Sequence, residues 1–439
     1  MIGGVWGLCC AGSVVRVREG WLMRRYAVVG TGARARVHVA AVERYGRLVG
    51  LADPNSARIA AHNRLLAAPV PAYRADDFTT MLAEQSADVA VVTTVDRYHA
   101  HYVVAALEAG CDVITEKPMT TDPEGAAAVA EAVARTGRRV DVAFNYRYHP
   151  VHERVAELLA GGVVGRVGSV HFEWFLDVRH GADYFRRWHR DKSSSGGLLV
   201  HKSTHHFDLV NWWLGATPVT AYAQGALFFY GEDSGRRHGR HRDYARVHGS
   251  PEAEGDPFAL RLTEDDRLRE LYLDAEAEDG YRRDQNPFAP GVTIEDDLAV
   301  LVRYDTGASM TYHLTAYSPK EGYRVVLNGD AGRLELEVVE SSWVSGQHAA
   351  GEPGWVRLTA QPLFGRAIEV PTEHGGGHHL ADERMTAQLY GPPTPDPLGR
   401  RADHADGIRS LLTGFAANRS LETGQPVAVA DLLRPRTAT

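Results

Sequence analysis

Tyr26-Ala27-Val28-Val29-Gly30-Thr31-Gly32-Ala33-Arg34-Ala35 runs from a short apolar strand into a G-x-G-x-x-A turn. Beyond it, to about Tyr45, apolar residues recur with helical spacing at Val37, Ala40 and Ala41. Gly30 permits the tight turn, Gly32 lets a pyrophosphate approach the backbone, and Ala35 keeps the helix close to its sheet. The N-terminus of that helix faces the phosphates with free N–H groups. A second strand, Leu48–Ala52, ends at Asp53, 21 positions beyond Gly32, where an acid meets the adenosine ribose hydroxyls. Gly30, Thr31, Gly32, Ala33, Arg34 and Asp53 are therefore assigned to a dinucleotide. A carboxylate at Asp53 repels a 2′-phosphate, and Pro54-Asn55-Ser56 supplies no cation before Arg58. The expected cofactor is NAD, without NADP being excluded.

The alternation continues outward. Ala87–Thr94, Cys111–Thr115 and Arg139–Asn145 read as strands, and His99–Ala109 and Pro123–Thr136 as helices. Strands alternating with helices predict a doubly wound parallel sheet. The chain has 439 residues, 44% hydrophobic and 24% charged, with net charge −8. That length permits two domains with substantial cores. The acidic balance offers no general attraction to nucleic acid or to an anionic membrane. No apolar run approaches the roughly 18–20 residues that span a bilayer. Three cysteines cannot form a disulfide framework, so a cytoplasmic protein is expected. In residues 1–22, Arg16 and Arg18 follow the apolar segment rather than precede it, unlike a secretory signal. With Met23 directly before the first strand, 1–22 is read as a disordered extension, which leaves Met1 and Met23 both open as starts.

Thr94-Val95-Asp96-Arg97-Tyr98-His99, then the run ending in Glu116-Lys117-Pro118, then Phe144-Asn145-Tyr146-Arg147-Tyr148-His149-Pro150 appear in that order. Together they resemble the glucose-fructose oxidoreductase / inositol dehydrogenase / MocA family. The likeness runs from about Tyr26 to the end of the chain. It implies a dinucleotide-binding Rossmann domain (23–146), then an α+β domain (147–439) built on an open, largely antiparallel sheet. It also adds Thr94, His99, Glu116 and Lys117 to the cofactor side and implies a cis proline at Pro118. Independently, Lys117 follows a strand and so lies at a strand C-terminal end, beside the crevice of an open α/β sheet. An ammonium there can bond the hydroxyl being oxidised and stabilise developing negative charge.

Of 21 histidines, eight fall between His149 and His206. After a strand at Val167–Leu176, Ser193–Gly197 reads as a flexible loop and Leu198–Leu214 as one helix ended by Gly215. The family pattern G-G-x-L-x-D-x-G-x-H-x-x-D, laid on Gly196-Gly197, places its histidine at His205 and its last acid at Asp208. His205 is thus the expected acid/base group beside Lys117. The chain departs from that pattern at His201, which stands where the family has an aspartate. His201 and His205 share a helical face at metal-ligand spacing, but no third ligand is identifiable, and no metal is assigned. Arg147, His201, Tyr184 and Trp188 are assigned to substrate. For Arg147, pairing with a structural acid is the other reading.

From Val219 the chain turns β-rich, with hairpin signals at Asp305-Thr306-Gly307 and Asn328-Gly329-Asp330. A polar insertion at about 231–290 is too long for a hairpin loop and is read as a lid, a specificity element or an oligomer contact. His374-Gly375-Gly376-Gly377-His378-His379 reads as a glycine-rich loop near the site or at the surface. A final helix, Ala402–Ala417, is expected to pack on the Rossmann domain. The expected function is NAD(P)-dependent hydride transfer to or from a secondary hydroxyl or ketone of a sugar, sugar derivative or cyclitol. The alternatives are redox-neutral, NAD-dependent glycoside cleavage by oxidation and elimination, and a non-catalytic NAD-binding protein. The expected partner is a small carbohydrate or cyclitol, and a dimer or tetramer is expected through the C-terminal sheet.

Overall fold

A computed structural model describes residues 23–341, 353–372 and 377–432. The expected extension 1–22 and residues His374–Gly376 of the glycine-rich element lie outside them. Six parallel strands form the first sheet: β1 (Arg25–Val29), β2 (Arg47–Ala52), β3 (Ala72–Tyr73), β4 (Val89–Val92), β5 (Asp112–Thr115) and β6 (Val140–Val142). Their spatial order is 3-2-1-4-5-6, so the order in which strands are added reverses between β1 and β4. That reversal opens a crevice at the strand C-terminal ends. β4 is Val-Ala-Val-Val, buried at every position, as a central parallel strand covered on both faces must be.

The second sheet contains β7 (Val167–Asp177), β8 (Pro218–Ala226), β9 (Asp297–Tyr304), β10 (Ser309–Ser318), β11 (Glu321–Gly329), β12 (Gly332–Ser341), β13 (Pro353–Pro362) and β14 (Ile368–Glu369). β15 (Ala402–Asp403) returns to the first sheet as an antiparallel edge beside β6, and β16 (Val427–Ala428) extends the second beside β8. The second sheet's order is 14-13-12-11-7-10-9-8-16, antiparallel throughout except between β7 and β10. Burial alternates residue by residue along β9 and β10, so one face carries the core and the other is open. Phe172, Trp174, Leu314 and Leu336 anchor that core.

Three segments differ from the expectation. The stretch Leu198–Leu214 divides into Leu198–His201 and Thr204–Leu214, and at the division the buried Ser203 hydroxyl receives a hydrogen bond from the Tyr312 hydroxyl (2.9 Å). Ser193–Gly197 is not a flexible loop: Asp191 caps a helical turn, and Gly196 and Gly197 leave it in the left-handed region. Gly377 opens a helix to Tyr390 rather than continuing a loop. The last helix spans His404–Thr423 and starts with a reciprocal Asp403/Asp406 cap. It packs against β6 and helix Pro123–Thr136 on one side and against β8 and helix Thr204–Leu214 on the other, bridging the two sheets. Among the described residues, no helix is long and apolar enough to cross a membrane.

Candidate active site

The glycine turn is built as its sequence demands. Gly30 has φ +87°, and a Cβ there would lie 2.7 Å from the Thr93 carbonyl and from Thr94 Cα. Only glycine lets β1 turn this close to the end of β4. Asp53, at the end of β2, accepts from the Thr31 N–H (2.6 Å) on one oxygen and the Asn55 N–H (2.9 Å) on the other. Each oxygen keeps acceptor capacity for a ribose hydroxyl. Glycine turn, helix start and strand-end acid together fit a dinucleotide.

Several side chains assigned to the cofactor serve instead to fix this cradle. The Arg34 guanidinium is taken by Glu116 (2.5 Å) and, bidentately, by Asp382 (2.7 and 2.8 Å). Glu116 also meets His38 (2.9 Å). Burial opposes a charge on Glu116, but Arg34 and His38 outweigh it and hold the carboxyl well below its usual range. His99 lies with Nδ1 2.6 Å from the Pro118 carbonyl oxygen and Nε2 3.1 Å from that of Thr94, so it ties the two loops together. These contacts fix the side chains of Arg34, Glu116 and His99 around the cradle.

Lys117 follows β5, and its bond to Pro118 is cis. Its Nζ donates to the His201 carbonyl (3.1 Å). Burial pushes this ammonium down to about 8, against the pull of the Asp96 and Glu116 carboxylates. His201 Nδ1 lies 2.5 Å from Asp96 Oδ2. Burial, reinforced by Lys117, holds the His201 imidazole well below its ordinary value, and burial pushes the Asp96 carboxyl up. The position that lost the family's aspartate thus regains a carboxylate from a different strand end. The His201 ring meets Tyr184, Trp188 and His189 edge-on, with centroids 5.6, 5.8 and 4.1 Å away. Tyr184, Trp188, His201 and Lys117 are therefore brought together.

His205 lies in the first turn of helix Thr204–Leu214, its ring stacked on Tyr146 (4.3 Å, 13°). Lys202 donates to the Tyr146 hydroxyl (3.0 Å) and lies 4.6 Å above the Trp174 ring, buried. His206 faces the second core, with Nδ1 2.8 Å from the Tyr312 hydroxyl. Arg147 requires a correction. It is 2% exposed; Nε and Nη2 grip Asp208 (2.8 and 2.6 Å), while Nη1 reaches the Gly399 carbonyl (3.2 Å) and Asp406 (3.3 Å). Four of the five guanidinium N–H donors are so occupied, and the side chain is buried, which makes Arg147 a structural arginine here. Among the described residues, no cluster of three His, Cys, Asp or Glu side chains is arranged to hold a metal.

Sequence reasoning passed over Asp96, although it stands inside the Thr94–His99 motif, and assigned no role to Lys202. The family assignment rests on two matches. The profile described as "Oxidoreductase family, NAD-binding Rossmann fold" covers residues 24–144, and "Oxidoreductase family, C-terminal alpha/beta domain" covers 156–429. The chain belongs to the Gfo/Idh/MocA oxidoreductase family. The oxidoreductase YteT of Bacillus subtilis is 36% identical over 88% of this chain and 92% of its own length. An inositol 2-dehydrogenase of Gluconacetobacter diazotrophicus is 35% identical over 44% of this chain, about half (55%) of that enzyme. The same fold is seen in an oxidoreductase domain protein from Kribbella flavida (TM-score 0.64, 20% identity, 93% and 99% covered). It recurs in an Agrobacterium radiobacter oxidoreductase solved with NAD+, L-tartaric acid and magnesium (TM-score 0.62, 15% identity, 94% and 100% covered). This Gfo/Idh/MocA protein is an NAD(P)-dependent dehydrogenase.

Proposed function

We propose that the protein transfers hydride between NAD and a secondary hydroxyl of a sugar, sugar derivative or cyclitol. The observation that carries this reading is Lys117. It is a half-buried lysine just beyond the C-terminal end of β5, bonded to the His201 carbonyl beside an imidazole–carboxylate pair and two aromatic rings. The glycine turn around Gly32, with Asp53, would hold the dinucleotide. When bound, the dinucleotide would supply the hydride acceptor for the carbinol carbon. The remaining chemistry belongs to the chain. Lys117 keeps two N–H donors beyond the one given to His201 and directs them at the reacting hydroxyl, where they stabilise the charge that develops. His205 takes the hydroxyl proton as general base.

His201 positions the substrate. Its Nδ1 is held by Asp96, and among the described residues its Nε2 has no hydrogen-bond partner, so it is the atom offered to a neighbouring substrate hydroxyl. Trp188, half-buried and stacked on His189 (3.6 Å), is the aromatic ring offered to the C–H face of a sugar, while Tyr184 is buried beside His201. The open face of the second sheet supports self-association into a dimer or tetramer, and the reducing cytoplasm is the compartment that fits three cysteines. A panel of sugars, sugar derivatives and cyclitols, incubated with the enzyme and NAD+, tests the reading. Appearance of reduced-nicotinamide absorbance with at least one polyol is the expected result. Turnover of none of them, despite dinucleotide binding, would remove it.

A further inference from the structure

Part of the insertion lies along the nucleotide edge of the first sheet. Between Leu262 and Tyr281 it forms short helical turns whose apolar side chains, Leu262, Leu271 and Tyr272, pack on Ala61, with Ala33 at the margin. The Tyr272 hydroxyl accepts from the Ala33 N–H (3.1 Å), one of the amides at the start of the first helix. Asn55 Nδ2 donates to the Ala275 carbonyl (2.8 Å) and Arg58 Nε to that of Leu271 (3.0 Å).

The consequence is sharpest just beyond β2. The Glu278 carboxylate accepts from the Ser56 N–H (2.6 Å), the Ser56 hydroxyl (2.9 Å) and the Ala57 N–H (3.1 Å). It thereby fills the start of helix Ser56–Asn63. Asp279 takes Arg58 Nη1 (2.6 Å), the cation nearest Asp53, which lies 3.8 Å from the same nitrogen. A phosphate on the adenosine 2′-oxygen needs an arginine beside the ribose acid and free N–H donors. Here those groups are already committed to two carboxylates supplied from the far domain.

We infer that the Leu262–Tyr281 segment is a cofactor-selecting wall, in which Glu278 and Asp279 occupy the 2′-phosphate position and restrict the enzyme to NAD. Asp53, Glu278 and Asp279 set three carboxylates around that position, where they repel the added phosphate of NADP. This rests on the reading of the chain as a dinucleotide-dependent enzyme. It assigns the selectivity to residues some 220 positions away from the motif that binds the ribose.

The test is direct titration of the purified full chain, stripped of dinucleotide, with NAD+ and with NADP+, followed by tryptophan fluorescence or calorimetry. The wild type is expected to bind NAD+ about a hundredfold or more tighter than NADP+. In Glu278→Gln/Asp279→Asn that ratio falls by about tenfold or more, and in the milder Glu278→Gln by about threefold. A wild-type ratio within about threefold overturns the inference while leaving the dehydrogenase reading intact. So does a large ratio unchanged in both variants, since Asp53 alone would then discriminate. Binding of neither dinucleotide overturns both.

Discussion

Replacing Arg147 by Met separates a structural arginine from a substrate-binding one. The guanidinium and the Asp208 carboxylate are 2% and 1% exposed and joined by two hydrogen bonds of 2.8 and 2.6 Å. Removing one member of such a pair leaves a buried charge unpaired, which costs about 3–5 kcal/mol. Burial already pushes Asp208 up to about 6 with the arginine present, and without it the carboxyl rises further. A carboxyl raised in the folded state contributes stability at low pH that is lost as pH climbs to the folded value. Wild type should stop losing stability from this group near pH 6. Arg147→Met should keep losing up to about 1.4 kcal/mol per pH unit beyond it. At neutral pH the melting temperature should fall by roughly 3–6 °C. Arg147→Met/Asp208→Leu, with no charge left behind, should recover most of the loss. Thermal unfolding monitored by circular dichroism between pH 5 and 8 measures all three proteins. A single variant as stable as wild type whose KM rises more than about tenfold would refute the structural role.

Two further outcomes follow from the same geometry. If the Lys117 ammonium is the donor to the reacting hydroxyl, kcat/KM for polyol oxidation falls as pH rises through about 8, and Lys117→Arg moves that limb upward; an unchanged limb in the variant would assign it elsewhere. Gly30→Ala sets a Cβ 2.7 Å from the Thr93 carbonyl at φ +87°, which should cost about 2–4 kcal/mol of stability and weaken NAD+ binding at least about tenfold by titration.

What the sequence made legible was local in character. Gly30, Gly32, Ala35 and Asp53 lie within one β-α-β unit, and hairpin glycines and alternating strands mark the second sheet. Lys117 was placed at a strand end by the run before it. The misreadings at Arg147, at His201 and in the insertion involve partners distant in the chain. Arg147 looked available because Asp208 is 61 residues away, and the carboxylate missing at His201 returns from Asp96, 105 residues away. Tyr272 meets Ala33 across 239 residues, from an insertion whose polar composition gave no hint of where it docks. The contact of Ser203 with Tyr312 in β10, at the division of that helix, was equally hidden.

The central claim is that Lys117 and His205 form the hydride-transfer centre. Its most direct test is the single-turnover rate of nicotinamide reduction with saturating NAD+ and an active polyol, compared among wild type, Lys117→Ala and His205→Ala. Each substitution should lower that rate by at least about a hundredfold while NAD+ binding persists. A wild-type rate in either variant would contradict the assignment.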